Sequence, residues 1–189
     1  MTALHKCRGA FWFISEERVE FEIRGRAVAL LGGELKVRGE EVVNRVAEIQ
    51  SKHRVVAQIF DARRVAGRDH LLHAVSLALL SEERGERFAV NPALNLLCWV
   101  AAERQIEVAL RKVGVSPGTR EAAVVVVGKD RPSVQSVVEE VGELLSRRDE
   151  VLLRGGRGLR EIFSLPRWVR AEEVGKFILE KIALLELLK

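Results

Sequence analysis

His70 and His73 stand three residues apart in GRDHLLHAVSL, a spacing that brings two imidazoles to one side of a helix and within reach of a shared metal ion. A zinc site needs a third or fourth protein ligand, and neither paired cysteines nor an acidic residue at suitable spacing accompanies them. A packed or capping histidine pair accounts for the same spacing. GGRG at 155–158 lacks the strand–loop–helix register of a dinucleotide site and the Lys-Ser/Thr of a P-loop. VVVVGKD at 124–130 follows a candidate strand but brings a single glycine. Ser76 has a histidine nearby and no nucleophile elbow around it. No catalytic residue, metal or cofactor is therefore expected, and no enzyme. The alternative is a small-molecule enzyme or metal-binding sensor centred on the His70/His73 helix.

A different kind of chemistry is carried by PALNLLCWVAAERQIEVALRKVGVSP, residues 92–117, which reads as one amphipathic helix. Asn91 suits the N-cap, Pro92 the first helical position and Gly114 the C-terminal cap. At about 100° per residue, Leu94, Cys98, Ala101, Ala102, Ala109 and Val113 share one sector, and Gln105 and Lys112 fall inside it. An amide and an ammonium on such a face either snorkel at the edge of the core or belong to a contact surface. Arg104 and Arg111 flank them; Arg63, Arg64 and Arg68 precede the His70 helix; and Arg147, Arg148, Arg154, Arg157 and Arg160 crowd a later loop region. Brought together, such groups attract phosphates; paired with the neighbouring glutamates, they do not.

The elements that would position these residues are legible as a pattern. Short strands are expected at Gly9–Ile14, Val19–Arg24 and Ala27–Leu31, with Gly32 and Gly33 as a turn. A helix over Glu40–Ser51 and a strand over Val55–Phe60 follow, the strand ending at Asp61. Ala66–Leu80 is a helix, Ala122–Val127 a strand covered on both faces, and Pro132–Leu145 a helix. Val151–Leu153 is a candidate short strand, and Glu172–Leu188 closes the chain as a helix. In that last helix Phe177, Ile178, Leu179, Ile182, Leu184, Leu185, Leu187 and Leu188 spread around nearly the whole wheel, as in a helix shared between core and partner. The fold class expected is α+β, helices packed around a small mixed β-sheet in a single domain.

Composition sets the outer bounds. A chain of 189 residues, 48% hydrophobic and 31% charged, can bury one substantial core. The balance of 31 basic against 27 acidic residues is too mild for a strong duplex-DNA binder. No stretch approaches the roughly 20 apolar residues that span a bilayer, and no signal peptide is visible, so a cytoplasmic location without membrane contact is expected. Cys7 and Cys98 are too few for a disulfide framework. The absence of tyrosine and the heavy use of Arg, Glu and Val fit selection at high temperature.

AERQIEVALRKVGV is similar to the central signature of the PRPK-binding protein family, the small subunit of the KEOPS complex. That signature is an Arg-Gln-Ile triplet and an apolar-Gly-apolar ending before a strand, here Arg104, Gln105 and Ile106, then Val113, Gly114 and Val115. The DARRVAGRDHLLHA run, with Asp61, His70, Leu72 and Ala74, and the ending FILEKIALLELLK resemble the family in the same order. The likeness covers residues 55–189, and residues 1–54 form an extended, poorly matched N-terminal part. The resemblance implies a non-catalytic subunit that docks on a small kinase-like ATPase, binds the single-stranded CCA end of tRNA and supports threonylcarbamoyladenosine synthesis. The RNA surface it implies comprises Arg104, Gln105, Ile106, Arg111, Lys112, Val113, Gly114 and Val115, with Arg63, Arg64 and Arg68 as phosphate contacts. The all-round apolar pattern of the closing helix places Leu184, Leu185 and Leu188 in or beside the surface that meets the partner.

Overall fold

Six strands and eight α-helices are arranged as helix layers on both faces of one antiparallel sheet in a computed structural model that describes residues 12–15, 18–37 and 39–187. The strands are β1 (Trp12–Ser15), β2 (Arg18–Ile23), β3 (Arg26–Leu35), β4 (Val56–Asp61), β5 (Glu121–Gly128) and β6 (Leu145–Arg147). The helices are α1 (Gly39–His53), α2 (Arg68–Arg84), α3 (Pro92–Ala101), α4 (Ile106–Val113), α5 (Arg131–Glu143), α6 (Val151–Arg154), α7 (Leu159–Ile162) and α8 (Val174–Leu187). The sheet runs β1-β2-β3-β5-β4, and β6 pairs with the far end of β3. Every pairing among the described residues is antiparallel, where a mixed sheet was expected.

β5 is the spine because its side chains alternate between two apolar layers. Ala123, Val125 and Val127 join Val28, Leu30 and Phe60 under α2, α3, α4 and α8. Ala122, Val124 and Val126 join Leu31, Ala57 and Ile59 under α1 and α5. An antiparallel strand covered on both faces has no polar side to show, and so the run of four valines carries no alternation in sequence.

Three local expectations are corrected. Gly32 and Gly33 are not a turn: β3 runs through them, and a Cβ on Gly33 would stand 2.5 Å from the Ser146 carbonyl oxygen of β6. The strand expected at Val151–Leu153 is the helical turn α6, and the strand that does form, β6, lies where the preceding helix was expected to end. The single helix expected over residues 92–117 is two. α3 stops at Ala102, which takes the left-handed conformation at φ 51°, with the Glu103 N–H donating to the Cys98 carbonyl. α4 restarts behind Gln105. The start of the first helix is as expected, the Asn91 side chain accepting from the N–H groups of Ala93 and Leu94.

Candidate functional site

Asp61 ends β4 as a wholly buried carboxylate, and the loop beyond it is organised by its hydrogen bonds. It caps the short 3₁₀ turn Ala62–Arg64 by accepting from the Arg63 N–H at 3.0 Å, and it accepts from the Thr119 hydroxyl at 2.9 Å. The Arg63 guanidinium donates to both carboxylate oxygens, at 3.3 and 3.2 Å, which holds its pKa above the usual arginine value. Arg64 Nε lies 3.8 Å from the same carboxylate. A carboxylate without exposure to water needs such partners, because burying it unpaired is costly. The arginines thereby become fixed arms: Arg63 also reaches the Gly118 carbonyl at 3.3 Å, and Arg64 donates to the Arg111 carbonyl at the end of α4. The loop before α2 and the end of α4 are thus tied together.

The expected RNA residues divide by burial. Arg104, Gln105 and Arg111 are exposed, Ile106 and Val115 half-buried, and Val113 and Gly114 buried. Gln105 stands at the N-cap of α4, not on an apolar face, because the break at Ala102 resets the helical phase. Ala101, Ala102 and Ala109 belong to the core beneath α2 and α8, so no alanine-lined surface is open to a base, and Val113 is equally out of reach. Lys112 Nζ lies 2.9 Å from Glu103 Oε1 and 4.7 Å from the centroid of the Phe163 ring. Burial lowers its pKa, and the Glu103 carboxylate opposes that shift. It is an internal ion pair with a cation–π contact. Arg68 Nε lies 3.6 Å from Asp69 Oδ1 at the start of α2.

The histidine alternative meets a similar obstacle. His70 is buried; its Nδ1 accepts from the Ala66 N–H at 2.9 Å, and its Nε2 donates to the Val100 carbonyl at 2.9 Å. With one ring nitrogen accepting and the other donating, His70 is a neutral imidazole with no lone pair left for a metal. Burial depresses its pKa to about 4. Among the described residues no group of three or more His, Cys, Asp or Glu could hold a metal ion. Cys98 is a buried free thiol pushed up to about 11 by desolvation, in keeping with a small packing residue.

α8 presents two faces. Ile178, Ile182 and Leu185 are buried in the core, whereas Leu184 is 55% and Leu187 77% exposed. Of the expected partner residues, Leu184 is therefore open, Leu185 is core, and Leu188 lies outside the described residues. Leu184 follows Phe177 by two helical turns, and Phe177 carries Trp168, itself 70% exposed, edge-on at 5.4 Å between ring centroids. Leu184 and Leu187 thus form an apolar ridge on the outside of the last turns of α8, with exposed Glu180 between them and Phe177.

A protein-family model described as "Kinase binding protein CGI-121" matches residues 39–185. The chain belongs to this family. The match takes in α1 and every later element but the last residues of α8, including the Asp61 hub, α4 and Leu184, while Leu187 lies just beyond it. β3, which precedes the match, is a central strand of the sheet, so the domain includes residues from outside it. No curated protein matches the chain. No helix among the described residues is long and apolar enough to cross a membrane.

Sequence reasoning missed Thr119, whose hydroxyl completes the Asp61 cluster from 58 residues away and carries no local signal. It also missed Leu187 and Trp168 as exposed apolar groups. The all-round pattern of α8 marked the helix, but it could not say which side faces out.

Proposed function

We propose that this protein is a non-catalytic subunit of a KEOPS-type assembly, binding a kinase-like ATPase subunit and the single-stranded CCA end of tRNA in support of threonylcarbamoyladenosine synthesis. The observation that carries the reading is the family match across most of the 189 residues, which gives a kinase as the partner. The exposed Leu184 and Leu187 on α8 offer that partner an apolar ridge. Truncation before Leu184 weakens the complex more than it lowers the thermal midpoint of the free subunit. The isolated chain neither hydrolyses ATP nor transfers a group, and it raises the partner's ATPase activity.

For RNA, the exposed Arg104, Gln105 and Arg111 with half-buried Ile106 form the candidate contact, and Arg63, Arg64 and Arg68 provide the adjoining positive charge. Lys112, Val113, Gly114 and Val115 shape that surface from beneath it. A single-stranded end suits it, because bases stack on apolar or guanidinium planes while few cations hold the phosphates. The test is binding of intact tRNA against tRNA lacking its terminal CCA, at fixed salt. Tighter binding of intact tRNA supports the assignment, and equal affinities remove it.

A further inference from the structure

Two cavities, of about 550 and 560 Å³, meet at the loop that follows α6 and share Arg154, Gly155, Gly156 and Arg157 in their walls. The loop is pinned rather than loose. The Gly156 N–H donates to the Val65 carbonyl at 2.8 Å, and a Cβ on Gly156 would fall 1.7 Å from the Arg63 carbonyl oxygen, so no other residue passes there without moving the backbone. This close approach sets Arg154 and Arg157 beside Arg63, with Arg160 on the far wall. Glu121 and Glu161 are the carboxylates in the walls.

Arg63 is held by Asp61, but the other three arginines are not consumed by acids. Arg154 Nη2 is 4.0 Å from Glu121 Oε1, at the limit of an ion pair between exposed groups. Among the described residues Arg157 has no ion-pair or hydrogen-bond partner. Arg160 donates from Nη2 to the Val169 carbonyl at 2.6 Å, while its buried Nε has no acceptor. With Arg157 unpaired and Arg154 only loosely paired, the cleft walls stay cationic and suit an anionic ligand. Arg63 and Arg64 then continue the positive charge, through their bonds to Gly118 and Arg111, to the end of α4. A track of cations suits a chain of phosphates better than a compact anion.

We infer that the Arg154–Arg160 cleft binds the phosphodiester backbone of the RNA, away from the segment that meets α4. This inference rests on the RNA-binding reading above.

The experiment is binding of intact tRNA, of tRNA lacking its CCA end and of inorganic triphosphate to the full chain, across a salt series. The wild type is compared with Arg154→Glu/Arg157→Glu and with Arg157→Lys. The double variant should weaken both RNAs by the same factor, leaving their ratio unchanged, and should flatten the logarithmic salt dependence by about 0.7 for each phosphate that the protein no longer neutralises. Arg157→Lys should keep most of the affinity, since holding a phosphate needs the charge. Wild-type binding that prefers intact tRNA, with an unaltered affinity and slope in the double variant, overturns the cleft assignment alone. Loss of triphosphate binding with RNA binding intact overturns it in favour of a small phosphate ligand. No RNA binding by the wild type overturns both readings. An unchanged thermal midpoint shows that the exposed substitutions leave the fold intact.

Discussion

Lys112 and Glu103 lie on opposite sides of the turn that brings α4 back towards α3, and their 2.9 Å ion pair closes it. The Lys112 side chain is only 9% exposed and lies over Phe163, so its charge serves the fold. Lys112→Glu sets two carboxylates against each other and should cost about 3 kcal/mol, read from denaturant unfolding. A fully stable Lys112→Glu protein with a flattened salt dependence of tRNA binding would instead place the ammonium on the RNA.

Asp61 should be the most sensitive polar position outside the apolar core. Asp61→Ala leaves Thr119 and two arginines without their acceptor and should destabilise by about 2–3 kcal/mol, the exposure of Arg63 tempering the loss. Thr119→Val removes one donor and should cost about 1 kcal/mol. A double-mutant cycle between the two positions checks the coupling, and additive effects would contradict it.

His70 gives stability a pH dependence with a definite sign. Its folded pKa, about 4, lies below the ordinary 6.5, so the unfolded chain binds the extra proton first. Stability should be full above about pH 6.5 and fall as the pH drops towards 4, by about 3 kcal/mol for this shift. Burial lowers His73 too, which adds in the same direction. Glu83, Asp130, Glu140 and Glu173 have lowered pKa values and lose their contributions at more acid pH, so the decline between about pH 6.5 and 5 belongs to the histidines. Unfolding midpoints of the wild type and His70→Gln over that range check it, and parallel curves would contradict it.

Gly33→Ala should detach β6 from β3, because the added methyl meets the Ser146 carbonyl oxygen at 2.5 Å. A loss of about 1–3 kcal/mol is expected. Hydrogen exchange at the Arg148 amide, which follows β6 and donates to the Gly32 carbonyl at 2.8 Å, should quicken with it, and unaltered protection would contradict the close approach.

Much of this fold is visible in local pattern. Four valines in a row marked β5, and Asn91-Pro92 marked the start of α3. What stayed hidden depends on tertiary contact. The end of α3 uses an alanine in the left-handed conformation where a glycine would have announced it, and so two helices read as one. Gly32-Gly33 resembles a turn, yet serves the close approach of a strand more than a hundred residues later. At the site, the arginines could be found but not sorted. Whether Lys112 met Glu103 or solvent, and whether Arg63 met Asp61, depended on which loops the sheet brings together. The α8 pattern was legible as an excess of leucine, while the split between buried Leu185 and exposed Leu184 and Leu187 required the packing of α2 and α3 against it.

We propose that the outer face of α8 is where the kinase partner docks. The most direct test is calorimetric titration of the partner subunit with the wild type, with Leu184→Asp/Leu187→Asp, and with Leu185→Ala. The exposed double variant should lose at least about tenfold in affinity, or roughly 1.4 kcal/mol, with its thermal midpoint unchanged. Leu185→Ala should lower the midpoint by removing a core side chain, at a cost of about 2–3 kcal/mol, with little effect on the affinity of the folded protein. Equal partner affinity in the wild type and the Leu184→Asp/Leu187→Asp variant would place the kinase on another surface.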